Sequence, residues 1–214
     1  MTHIPPPGFH LPHRGFVHFG HFMPQVDINA LHYLASSLWV RRGQKLVIAE
    51  VGSFTGASSL ALANYAERLY CIDTWTGGDD PADGINEIYA RKGSRGVTLA
   101  FLSNVDHYTK NGVIKPIKCT SLEAATDLAN CRSGLDMVFL DACHDCEHVR
   151  DDIAAWKPLV RKGGILAGHD YGDLFPGVKQ AVEEAFPGLN GPGFGLETGS
   201  QFDVIGNVWW KEIT

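Results

Sequence analysis

Two apolar runs of this chain stop on pairs of acidic and imidazole side chains. Val138-Phe139-Leu140 leads into Asp141-Ala142-Cys143-His144, and Ile165-Leu166-Ala167-Gly168 leads into His169-Asp170-Tyr171. A carboxylate at the end of a buried strand is costly unless it meets a cation, a hydrogen-bond donor or a metal. Two such ends aim Asp141, His169 and Asp170 at one place. Oxygen donors with an imidazole suit Mg2+ or Mn2+, leaving coordination positions for water and substrate. His144 is near enough to serve as a general base, because its ordinary pKa of about 6.5 suits that task. One acid alone could be a helix cap and one histidine a core residue; the coincidence of both ends favours a site. Asp151 and Asp152 follow on the next helix and are expected on its solvated face.

Other strand ends carry different chemistry. The first reads Glu50-Val51-Gly52-Ser53-Phe54-Thr55-Gly56-Ala57-Ser58. Its glycines permit a tight turn and close approach of a ligand to the backbone. Their spacing is G-x-x-x-G rather than the G-x-G-x-x-G of dinucleotide sites, and Glu50 would repel a pyrophosphate while suiting an amine. The second end is Ile72-Asp73-Thr74-Trp75. An acid about twenty residues beyond the first glycine can accept both hydroxyls of a ribose, and Trp75 could wall the ligand or belong to the core. The third, Cys119-Thr120-Ser121, offers small polar residues for a helix cap, with contact to an adenine edge beside it.

These ends need strands and helices to hold them. Apolar spacing of three and four residues from Asp27 to Leu38 predicts a helix stopped by Gly43. Strands are expected over Lys45–Val51, Leu69–Ile72, Val113–Cys119, Leu135–Leu140 and Ile165–Gly168. Helices are expected over Ser58–Ala66, Ile85–Arg91, Leu99–Tyr108, Leu122–Ala129, Val149–Val160 and Val178–Phe186, with Gly163-Gly164 as a break. A closing hairpin turns at Gly206-Asn207. Alternating strands and helices imply right-handed crossovers and one doubly wound, mostly parallel α/β sheet. Ligands then bind beyond the carboxyl ends of the strands.

Residues 1–25 differ in kind: Pro5-Pro6-Pro7-Gly8 precedes His10, His13, His18 and His21, interleaved with Phe9, Phe16, Phe19 and Phe22. We read an N-terminal arm over 1–25 and a single domain over 26–214. The arm's aromatics are expected to pack onto the domain; the arm could also roof the site or swap onto a neighbour, which leaves a homo-oligomer open. Five cysteines, an odd number, fit reduced thiols better than a disulfide framework. Cys143-His144-Asp145-Cys146 lacks the second ligand pair of a structural zinc site and reads as free thiols. The net charge of −6, without a basic block, argues against nucleic-acid and anionic-membrane partners. The absence of a long apolar run or a secretory pattern points to the cytoplasm.

Together, Glu50 to Ser58, the Asp73 strand end, Asp141-Ala-Cys-His144 and Gly168-His-Asp-Tyr171 resemble the class I S-adenosylmethionine-dependent methyltransferases. Within them the chain is most similar to the small metal-dependent O-methyltransferases, including the macrocin-type and cephalosporin-hydroxylase-like proteins. Phe175 to Val182 and Val208-Trp209-Trp210 add to this resemblance, which spans about residues 45 to 211. It implies seven strands with an antiparallel last one, a Rossmann-like methyltransferase fold. It implies that Glu50, Gly52, Ser53 and Ser58 surround the methionine part of S-adenosylmethionine and that Asp73 takes the ribose. Trp75, Ser121 and Asp141 complete the expected cofactor set. A divalent cation such as Mg2+ is implied at Asp141 and Asp170 with His169, and catalytic work at His144 and His169. The expected reaction is methyl transfer to a hydroxyl of a small-molecule acceptor. The alternatives are a nicotinamide-dependent oxidoreductase and a cofactor-binding module without turnover.

Overall fold

Successive residues of the central strands face opposite ways, and both ways are apolar. Ile48, Met137, Phe139, Ile165 and Ala167 enter one buried cluster, while Ala49, Val51, Val138, Leu140 and Leu166 enter another. Strands buried on both faces need helices on both faces. The structure, a computed structural model, describes residue 17 and residues 23–78, 85–130, 134–187 and 202–214.

The strands are β1 (Leu46–Val51), β2 (Ala66–Asp73), β3 (Ile114–Lys118), β4 (Leu135–Leu140), β5 (Val160–Gly168), β6 (Phe202–Ile205) and β7 (Val208–Glu212). The helices are α1 (Gln25–Arg42), α2 (Ala57–Ala63), α3 (Ile85–Asn104), α4 (Asp106–Lys110), α5 (Ser121–Leu128), α6 (Cys146–Trp156) and α7 (Pro176–Ala185). The sheet order is β3-β2-β1-β4-β5-β7-β6. Strands β1 to β5 are parallel, and β7 runs antiparallel to both β5 and β6. The doubly wound α/β class read from the sequence is the one found. Strand order reverses around β1, between β2 and β4, and that reversal opens the crevice where α/β proteins bind ligands.

Local chemistry sets the element ends. Gly43 closes α1 in the left-handed conformation at φ 65°. Thr120 and Glu123 form a reciprocal capping box on α5, and Asp145 caps α6 by accepting from the amides of Glu147 and His148. Two expectations are corrected. The helix expected to reach Val160 ends at Trp156, and after a short 3-10 turn Val160 already opens β5. Gly163-Gly164, read as a break, lies inside that strand. A Cβ on Gly164 would come within 2.6 Å of the Asp136 carbonyl, so this glycine lets β5 press against β4 at a register shift. The two helices expected between Ile85 and Tyr108 are found: α3 breaks at Gly93, at φ 69°, into two helical halves, and the short α4 follows the second.

The expected arm, residues 1–25, lies mostly outside the described residues. Val17 is described: its amide donates to the Asn104 side chain at 2.8 Å, and the same side chain donates to the Thr55 carbonyl at 2.8 Å. No helix among the described residues is long and apolar enough to cross a membrane.

Candidate active site

Strand β1 ends in a turn that must pass close beneath β4. A Cβ on Gly52, at φ 88°, would lie 1.8 Å from the Asp141 carbonyl oxygen, so only glycine fits there. Glu50, fully buried, sits under the turn rather than facing outward. Its Oε2 accepts from the Ser53 hydroxyl at 2.8 Å and from the Ser59 hydroxyl. Burial pushes its pKa up against the pull of the Ser58, Ser59 and Ser53 hydroxyls. Glu50 therefore shapes the turn from below, and Ser53 and Ser58 are buried with it.

Among the described residues, three other than glycine have left-handed backbone: Phe54 at φ 43°, Trp75 at 49° and Asp170 at 58°. All three lie just beyond strand ends on the crevice side, where strain of this kind gathers at functional sites. Asp73, at the end of β2, holds two of these turns together. Its Oδ2 accepts from the Phe54 amide at 2.8 Å and its Oδ1 from the Trp75 amide at 2.6 Å. Burial raises its pKa, while those two amides lower it. A carboxylate has about four acceptor positions, so roughly two remain for a diol.

Asp141, His144 and Asp170 converge beyond β4 and β5. One donor atom from each lies within 4.8 Å of the others. His144 Nε2 is 2.8 Å from Asp170 Oδ2, and the imidazole stacks on Phe175 with centroids 4.1 Å apart. Close packing of α7 fixes this loop, because a Cβ on Gly177 would meet the His144 carbonyl at 2.5 Å. His169 stands behind the cluster. Its Nδ1 lies 3.2 Å from Asp170 Oδ1 and 3.4 Å from Asp141 Oδ1, and its Nε2 lies 2.9 Å from Asp27 Oδ2. Burial works against its charge, but Asp141, Asp170 and Asp27 outweigh it and push the pKa up to about 12. Burial likewise opposes ionisation of Asp170, yet His144 and His169 hold its carboxyl far below the usual range.

The donor cluster thus contains His144 where the sequence suggested His169. With carboxylates at both of its nitrogens, His169 is a buried cation that braces Asp141 and Asp170, not an open base. Asp27 escaped the sequence reading, although it stands four residues before Leu31 on the buried face of α1. Two expected cofactor residues are hydrogen-bonded within the protein. Trp75 is in the core, its ring 4.9 Å from that of Phe101 and its Nε1 donating to the Phe54 carbonyl at 2.9 Å. Ser121 donates to Asp152 Oδ1 at 2.5 Å and accepts from Trp156 Nε1 at 2.9 Å. Asp152, expected in solvent, is buried, and burial raises its pKa to about 6. It lines the cleft with Asp141, His144 and Asp170.

A family profile described as a methyltransferase domain matches residues 49–171, more than half of the chain and every strand end described above. The chain belongs to this methyltransferase family. No curated protein matches it. Among solved structures, this methyltransferase resembles the O-methyltransferase TomG of Streptomyces achromogenes, involved in tomaymycin synthesis and determined with SAM. The TM-score is 0.59 at 17% identity, covering 90% of this chain and 82% of that one. An O-methyltransferase from Bacillus cereus in complex with SAH gives 0.54 at 14% identity, with 86% and 80% covered. An rRNA methylase from Streptococcus thermophilus gives 0.51 at 13%, with 87% and 95% covered. At these identities the likeness establishes the fold.

The donor set of the methyltransferase suits a hard divalent cation: two carboxylates and an imidazole in a half-closed cleft.

Proposed function

We propose that this methyltransferase transfers the methyl group of S-adenosylmethionine to a hydroxyl of a small molecule, assisted by a divalent cation such as Mg2+ at Asp141, His144 and Asp170. The observation carrying this reading is the convergence of those three donors beyond the ends of β4 and β5. S-adenosylmethionine supplies a methyl already activated by its sulfonium, and a divalent ion lowers the pKa of an acceptor hydroxyl and fixes its direction of approach. The protein's task is placement. Asp73 offers its remaining acceptor positions to a ribose diol, and the Gly52–Gly56 turn gives the rest of the cofactor a backbone cradle. His169, anchored by Asp27, keeps Asp141 and Asp170 aimed at the cleft. The carbon–sulfur bond breaks as the carbon–oxygen bond forms. The acceptor's proton is released to solvent.

Net charge supports a small acceptor over a nucleic acid, and a sugar diol or catechol-like pair would offer a hard divalent cation two adjacent oxygens. We place the reaction in the cytoplasm. The test follows S-adenosylhomocysteine formation with diols and catechols, with Mg2+ and with excess chelator. The reading expects turnover that chelator abolishes and Mg2+ restores. Full activity in chelator would remove the metal and leave the His144–Asp170 pair as the base.

A further inference from the structure

A second group of metal-type donors lies at the start of α6, on the solvent side of the cleft. Cys143 Sγ is 2.9 Å from Asp145 Oδ2, and His148 Nδ1 is 2.6 Å from the same oxygen. Donor atoms of all three residues lie within 4.8 Å of one another. The other Asp145 oxygen, Oδ1, accepts the amides of Glu147 and His148 at 3.1 and 3.0 Å, so capping the helix fixes the carboxylate and leaves Oδ2 turned to the thiol and imidazole. Cys146, the partner suggested by the C-x-x-C spacing, turns away: its sulfur accepts from Arg150 Nη2 at 3.3 Å.

We propose that Cys143, Asp145 and His148 form a binding site for Zn2+. A thiolate, an imidazole and a carboxylate are the donors this borderline-soft ion takes, and three protein ligands leave its fourth tetrahedral position to water. Two hydrogen-bond donors now point at one carboxylate oxygen. The ion replaces both contacts, and the thiol proton is released to solvent as sulfur binds. The ligands are exposed or half-buried, so the ion enters without opening the fold. Residue 144 lies between two of them. Zinc here would clamp residue 143 to the first turn of α6 and stiffen the loop carrying His144. The site is separate from the Mg2+ set, which contains no sulfur.

Cobalt tests this directly, because thiolate ligation of Co2+ gives a near-ultraviolet charge-transfer band that oxygen and imidazole ligands do not. Full-length protein, stripped of metal and kept reduced, is titrated with Co2+ and then with Zn2+. We expect one equivalent of Co2+ to produce the band and Zn2+ to displace it. Cys143→Ser should abolish the band, while Cys146→Ser and Asp170→Ala keep it. His148→Ala should weaken binding by at least the roughly 10–100-fold that loss of even an outer partner costs. Circular dichroism confirms that each variant folds. No band in the native protein, a band surviving Cys143→Ser, or equal loss in Cys146→Ser or Asp170→Ala would overturn the assignment.

Discussion

The carboxylate of Asp27 meets the imidazole of His169 at 2.9 Å across 142 residues of sequence, and both side chains are buried. Asp27 also accepts from the Asn207 amide at 2.9 Å, and a Cβ on Gly206 would collide with it, so the β6–β7 turn is built around this carboxylate. One side chain thus ties the start of α1, the end of β5 and the closing hairpin together. Through His169 it also reaches Asp141 and Asp170.

Replacing Asp27 by alanine leaves a buried imidazolium short of one counter-charge. Such a loss costs about 3–5 kcal/mol, to be read from urea unfolding at pH 7. The pH dependence has a definite sign. His169 has a folded pKa of about 12 against 6.5 for the free side chain. Its stabilisation is therefore complete below about pH 6.5 and is lost as pH rises toward 12. Native unfolding free energy should fall from pH 7 to pH 10, and His169→Gln should flatten that slope; an unchanged slope would contradict the pairing.

Asp152 predicts the opposite behaviour. Burial raises its pKa to about 6 from 3.8, so the folded protein holds this proton more tightly and pays for ionisation above pH 6. Asp152→Asn should stabilise the protein at pH 8, by up to about 3 kcal/mol. The gain should shrink as pH falls below 6 and vanish only below about pH 3, where the carboxyl is protonated in the folded and the unfolded protein alike. A gain independent of pH would point to packing rather than charge.

Gly52→Ala should be among the worst single changes. The added carbon would overlap the Asp141 carbonyl at 1.8 Å, on a backbone at φ 88°. A loss of about 3 kcal/mol or more is expected. A melting temperature matching the native protein would mean that the β1 turn does not press on β4.

The proposed Mg2+ set makes chelator and Asp170→Ala equivalent. Each should slow turnover, and chelator should add nothing to the variant, because both remove the same ion. S-adenosylhomocysteine affinity should survive Asp170→Ala, since the proposed cofactor site lies at the ends of β1 and β2. His144→Ala should slow turnover as Asp170→Ala does, because it removes another of the ion's three donors. A further drop when chelator is added to Asp170→Ala would separate the two effects and contradict the site.

What could be read from the sequence followed from chemistry local to a few residues. Apolar runs ending in Asp73, Asp141 and Asp170 marked strand ends, because ionised groups do not stop buried strands without cause. Apolar spacing from Ile28 to Leu38 marked α1. Side-chain direction could not be read. Asp170 adopts φ 58°, and the turn this makes helps decide that His144 joins the carboxylates while His169 is held behind them. Ser121 and Trp75 looked available for a ligand because small polar and aromatic residues suit ligands and cores alike, and only their hydrogen bonds to Asp152 and Phe54 separate the two roles. Asp27 shared a helix face with core leucines, yet its partner lay too far along the chain for any spacing to indicate.

The central claim is that the ends of β1 and β2 form an S-adenosylmethionine site. Calorimetric titration with S-adenosylhomocysteine tests it without knowledge of the acceptor. The account predicts saturable binding of one equivalent, with no binding of NAD or NADP, and loss of most affinity in Asp73→Ala. Binding of a dinucleotide instead, or S-adenosylhomocysteine affinity unchanged by Asp73→Ala, would contradict it.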